Sequence, residues 1–166
     1  MPRRTAAVAV LLVVLLVVLS GCGHRAAPGP DALGVLADWD QRRATAWASG
    51  DAAALTSLYL PGSVAGERDV TLLGTYAARG LRVVGMTRQV LRVRVLVDRP
   101  SLIRIDLTDR LSAAAAERAG RPVALPLPGT AAERRIVELR RVRGTWVMAR
   151  VRDLAVSAPS RPPTPR

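Results

Sequence analysis

At Gly80 the apolar pattern of this chain changes its period. Before it, apolar residues recur at helical spacing; after it, they alternate one by one as in half-buried strands. Helices first and strands second exclude the alternating order of a parallel α/β sheet. They require the helices to lie on one face of an antiparallel sheet. Asp31 is a suitable N-cap for a helix over 32–49, with Leu33, Leu36, Ala37, Asp40, Ala44 and Trp47 on one face, Trp39 at its flank, and Val35 and Ala46 behind. Gly50 provides a left-handed stop and Asp51 caps a second helix over 52–60, which Pro61-Gly62 ends. A third helix is predicted over 66–79, with Val70, Leu73, Tyr76 and Ala77 inward and Gly80 as its stop.

Beyond Gly80, Leu91, Val93, Val95 and Val97 form the first alternating set. After a turn at Arg99-Pro100-Ser101, Ile103, Ile105 and Leu107 form the second. Residues 112–132 read as a loop with a short helical stretch over 113–118. Val137 with Leu139, then Trp146 to Val151 after a tight turn at Arg143-Gly144, complete the pattern. The expected fold is α+β, with three N-terminal helices packed on an antiparallel sheet of about four strands. It forms a single domain over residues 31–155, and residues 156–166 form a disordered Pro-rich tail. No internal repeat is visible.

The chain has 166 residues, one Cys and one His, so the domain must rest on its apolar core without disulfides. Its 25 basic residues are all Arg; Lys, Asn and Phe are absent. That bias is what a G+C-rich bacterial genome imposes, and it weakens any reading of the net charge of +12. Nucleic acid is excluded as a partner on two grounds: aromatic residues are only 3% of the chain, and acids lie between many of the arginines. Anionic lipid headgroups or wall polymers suit Arg-rich faces better.

The N-terminus has the three parts of a secretory leader. Arg3 and Arg4 precede an apolar run, Ala6 to Leu19, too short to span a bilayer as a permanent helix, and the small residues Ser20 and Gly21 follow. Leu19-Ser20-Gly21-Cys22 resembles the lipobox of bacterial lipoproteins. The resemblance implies cleavage before Cys22, a diacylglyceryl thioether on its sulfur and a fatty-acyl chain such as palmitate on its new N-terminus. Two or three acyl chains anchor stably where one is marginal. The expected organisation is a signal peptide at 1–21, a lipidated Cys22 with a Gly/Pro/Ala tether to residue 30, and a domain on the outer face of the cell membrane. His24 falls in the tether and is expected to be solvated and idle.

The stretch Trp47-Ala48-Ser49-Gly50-Asp51-Ala52-Ala53-Ala54-Leu55-Thr56-Ser57-Leu58-Tyr59 resembles the nuclear transport factor two-like superfamily, with its SnoaL-like and ketosteroid isomerase-like members. There a first helix often ends in Gly-Asp before a short helix that turns Leu and an aromatic inward. The resemblance covers residues 33–153 and implies the cone-shaped fold. Its enzymes work by acid–base chemistry inside the cone, with a carboxylate or His as base and a donor for the developing oxyanion. One departure is visible: residues 61–67 are too few for the strand pair common between the second and third helices.

For that chemistry the folded part offers little. It has no His, no metal-ligand spacing, no phosphate loop and no sign of a cofactor site. Asp40 is the one carboxylate predicted to point into the core, and Tyr59 and Tyr76 are the candidate donors or ligand contacts, each also readable as a core aromatic with an outward hydroxyl. Asp40 must be either ion-paired or facing a wet pocket; a pair is expected, with Arg43 one turn on as the nearest partner and an arginine from the sheet as another. Asp106 is expected to meet solvent, and Arg88, Arg92 and Arg94 to share a solvated or headgroup-facing strand face. Trp39, Trp47 and Trp146 read as packing residues. The leading functional expectation is a membrane-anchored, non-catalytic envelope module that binds a small ligand or a protein. The alternatives are a scaffold protein with a filled cone, or a small isomerase- or cyclase-type enzyme that uses Asp40.

Overall fold

The computed structural model describes residues 31–118, 121 and 124–154; the leader, Cys22, the tether and the C-terminal tail lie outside them. The chain runs α1 (Ala32–Ser49), α2 (Ala52–Ser57), α3 (Val64–Ala78), β1 (Leu81–Arg99), β2 (Leu102–Arg118), β3 (Ala124–Pro126), β4 (Glu133–Val142) and β5 (Thr145–Leu154). The caps work as the sequence implies. Asp31 accepts from the Leu33 N–H, Asp51 from Ala54 and Ser63 from Gly66. Gly50 and Gly80, with φ of 71° and 68°, take the left-handed turns that end α1 and follow α3.

The sheet is antiparallel in the order β1-β2-β4-β5, with β3 paired to the far end of β2. Arg143 and Gly144, both at positive φ, close the β4–β5 hairpin. Register slips four times along the β1–β2 pair and once along β4–β5. Such irregularities bend long strands, and here they curve the sheet around the helices. The result is the expected α+β cone: three helices inside a curved antiparallel sheet. Trp47, Leu55, Leu73, Ile103, Ile105, Leu107, Val137, Leu139 and Met148 make the dry core between the layers.

Four expectations need correction. Residues 113–118 are strand, not helix: Ala115 and Ala116 pair with Val84 and Val83 of β1, and the small side chains of Ala114 and Ala116 are buried. Tertiary pairing here overrides the helical preference of alanine. The α2 helix stops at Ser57, because Tyr59 and Leu60 leave it to join β5, where Leu60 N–H donates to the Met148 carbonyl and Met148 N–H to that of Leu58. The buried face of α1 runs through Ala32, Leu36, Trp39, Ala46 and Trp47, while Leu33 and Ala37 are exposed. The helix is therefore turned by nearly one residue step, about 100°, which moves Asp40 from the core to its edge. On α3, Leu73 is buried as expected but Ala77 is exposed.

Gly66 is the tightest backbone approach in the core. A Cβ there would sit 2.6 Å from Tyr59 Cγ and 2.7 Å from its Cβ. Gly66→Ala is therefore expected to lower stability by about 1–3 kcal/mol despite the better helix propensity of alanine, as read from chemical denaturation.

Candidate functional site

The helix layer meets the sheet at the mouth of the cone around three aspartates and three arginines. Asp69, on the buried face of α3, is the first hub. Its two oxygens accept from Arg43 Nε at 2.7 Å, from the second Arg43 guanidinium nitrogen, from Tyr59 Oη at 2.7 Å and from Trp47 Nε1 at 3.2 Å. Burial works against the Arg43 charge, but the Asp69 hydrogen bond and its negative charge outweigh that, and the Arg43 pKa rises. Burial also pushes the Tyr59 hydroxyl pKa well above its ordinary value. Trp39 stacks edge-on against Tyr59 with ring centroids 5.4 Å apart, and its Nε1 donates to the Leu58 carbonyl at 2.9 Å.

Asp109 on β2 is the second hub and is only 1% exposed. Its Oδ2 accepts from Arg88 Nε of β1 at 2.6 Å and from Arg135 of β4. The satisfaction is incomplete. Asp109 Oδ1, one terminal nitrogen of Arg88 and Nε of Arg135 are buried without a hydrogen-bond partner among the described residues. Groups of this kind cost free energy unless water or a ligand meets them.

Asp40 stands between the hubs. It has no ion pair among the described residues, because Arg43, its expected partner, is committed to Asp69. Burial raises its pKa, although the nearby charges of Arg88, Arg135 and Arg43 pull the other way. The expected Asp40–Arg43 pair is thus corrected: Asp40 faces a hollow. That hollow, of about 270 Å3, is lined by Asp40, Arg43, Tyr59, Asp69, Arg88 and Arg135 together with apolar residues such as Leu36, Val137 and Met148.

The other expected residues are placed as follows. Tyr59 lines the hollow, but its hydroxyl points inward to Asp69, not outward. Tyr76 is half-buried, packs edge-on against Trp47 and is not among the residues that line the hollow. Cys22 and His24 lie outside the described residues. Arg88 does not share the face of Arg92 and Arg94: a slip of register between Val90 and Arg92 turns it inward to Asp109. Asp106 is on the outer face as its parity implies, but it does not simply meet solvent. Arg134 and Arg94 bind it and form a shallow cover, and the Arg134 hydrogen bond holds its carboxyl below the ordinary range.

Asp69, Asp109 and Arg135 carry the site and were not singled out from sequence, yet two of them left a signal. Asp69 is four residues before Leu73 on the apolar stripe of α3, and Asp109 continues the alternation of Ile103, Ile105 and Leu107.

No protein-family model and no curated protein sequence matches the chain. Among solved structures, the chain is similar to the intermembrane space region of the chloroplast protein ARC6, at 13% identity over 78% of this chain and 98% of that one, with a TM-score of 0.50. It is similar to Aln2 from a Streptomyces species, at 12% identity over 76% and 91%, also with a TM-score of 0.50. An NTF2-like protein with a cystatin-like fold from Novosphingobium aromaticivorans aligns at 13% identity over 96% and 94%, with a TM-score of 0.45. At such identities the likeness is one of fold alone.

Proposed function

We propose that this chain is a non-catalytic binding module, held on the outer face of the cell membrane by lipid on Cys22, that takes a small molecule in the mouth of its cone. The observation that carries the reading is the half-satisfied cluster beside the hollow: Arg88 and Arg135, which line it, each keep one N–H group without a partner among the described residues, and Asp40, which also lines it, has no ion pair among them. A ligand with an acceptor group, a carboxylate or an amide, would meet the arginines. A donor on the same ligand would meet Asp40, and its apolar part would lie on Leu36, Val137 and Met148. Two groups that could serve acid–base chemistry are already engaged: Asp69 accepts from four donors, and the Tyr59 hydroxyl donates its hydrogen bond to Asp69.

A second reading has one observation in its favour. Burial raises the Asp40 pKa, the direction in which a general base is tuned, so an isomerase- or cyclase-type enzyme would use Asp40 as base with Arg88 and Arg135 as oxyanion donors.

A thermal-shift screen with small apolar carboxylates and amides tests the first reading. At least one class should raise the melting temperature of the wild type, and Asp40→Asn should weaken that shift. Recovery of the stabilising compound unchanged supports binding, and its conversion supports the enzyme. No shift with any class, or a shift equal in Asp40→Asn, would contradict both. Anchoring is tested separately by metabolic labelling with a fatty acid: label is expected on the wild type and not on Cys22→Ala.

A further inference from the structure

The outer face of the sheet is far more basic than the rest of the domain. Register places Arg94, Asp106, Ile136 and Arg152 in one row across β1, β2, β4 and β5, and Arg92, Thr108 and Arg134 in the next. Arg104, Glu138 and Arg150 form a third row, and Arg140 shares the face of Glu138, to which it donates at 3.0 Å. Arg99, opposite Leu102, and Arg110, opposite Gln89, continue the same face; it therefore carries nine arginines against two acids over these rows, whereas the other described residues carry eleven arginines against eleven acids. A genome-wide preference for arginine would enrich every surface alike and does not explain that segregation. Four of the arginines share Asp106 and Glu138, each acid held between two guanidinium groups. Of the others, Arg92, Arg150 and Arg152 are exposed and have no ion pair among the described residues. Neighbouring strands lie about 4.8 Å apart, so the face presents a broad, closely spaced array of cations.

We infer that this sheet face docks on an anionic phospholipid surface. An array of charge on a gently curved sheet suits an extended layer of phosphates. The choice of membrane over a soluble polyanion leans on the proposed Cys22 anchor, whose tether of eight residues reaches at most about 28 Å; the segregation of charge does not depend on it. With the sheet face down, the mouth of the cone, on the opposite side of the sheet, is left open to solvent.

Co-sedimentation of the full chain with vesicles tests this, using phosphatidylcholine alone and an equal mixture with phosphatidylglycerol. Binding is expected to be stronger to the anionic vesicles and to lose that preference near about 1 M salt, where charges are screened within about 3 Å. The variant Arg92→Ser/Arg150→Ser/Arg152→Ser should reduce the preference by roughly tenfold to a hundredfold. The control Arg79→Ser/Arg118→Ser/Arg121→Ser removes equal charge from exposed positions elsewhere and should leave most of it. Equal loss in both variants would reduce the effect to net charge and overturn the inference. So would equal binding to both vesicle types, or inorganic polyphosphate in solution bound as tightly per phosphate as the vesicle. Because all proteins compared share Cys22 and the leader, failure of the anchor proposal would leave this comparison intact.

Discussion

Asp109→Ala is expected to destabilise the domain by about 3–5 kcal/mol, the cost typical of stripping one partner from a buried ion pair. For a domain of this size that is a fall in melting temperature of roughly 10–20 °C. The substitution leaves Arg88 and Arg135, whose side chains are 16% and 18% exposed, with no anion bonded to them. It also loosens the register of the sheet, because Asp109 ties β1 to β4 through β2. The companion variant Asp109→Leu/Arg88→Met/Arg135→Met removes all three charges and should recover much of the loss. If Asp109→Ala melts at the wild-type temperature, the second hub does not hold the sheet.

Asp69→Ala is expected to cost a similar amount, about 3–5 kcal/mol, by a different route. Asp69 joins α3 to α1 through Arg43 and Trp47, and to the segment after α2 through Tyr59. Its loss strands a buried guanidinium, an indole N–H and a phenol at once. Raising the pH should not rescue the variant, since an arginine keeps its proton throughout the pH range in which a protein stays folded. Near-ultraviolet circular dichroism gives a second readout, because Trp47 and Tyr59 both bond to Asp69. An unchanged aromatic signal together with an unchanged melt would contradict the role assigned to this hub.

The helix–strand division at Gly80 and the helix caps were legible because they depend on local chemistry. So was the inward set on β2: Ile103, Ile105 and Leu107 alternate with no interruption. The first helix was misread by one step, because its apolar residues nearly encircle it. With Leu33 and Ala37 on one side and Trp39 and Ala46 on the other, only the packing partner decides which stripe is buried. The site was less legible for a related reason. Asp69 and Asp109 occupy positions that period alone assigns to the core, but a carboxylate there is plausible only if an arginine reaches it, and the partners lie 26 and 21 residues away in sequence. Arg88 was hidden altogether, since parity puts it with Arg92 and Arg94 and a slip of one residue in β1 reverses it. The strand over 113–118 was masked by alanine, whose local preference is helical and whose small side chain is what that part of the sheet requires.

Two aspartates paired with arginine hold the cone, and the third, Asp40, has no ion pair among the described residues; the proposed ligand site depends on that. The most direct test is the melting temperature of Asp40→Asn against wild type at pH 7 and again below the ordinary carboxylate value of 3.8. Burial raises the Asp40 pKa in the folded state. Between the unfolded and folded values the native state therefore holds more protons than the unfolded one, and stability falls as pH rises through that window and stays lower above it. Removing the charge should leave Asp40→Asn as stable as wild type or more stable at pH 7, with the difference vanishing in acid, where Asp40 is neutral in both states. A fall at pH 7 comparable to that of Asp69→Ala would show that Asp40 is a structural ion-pair partner and would contradict the account.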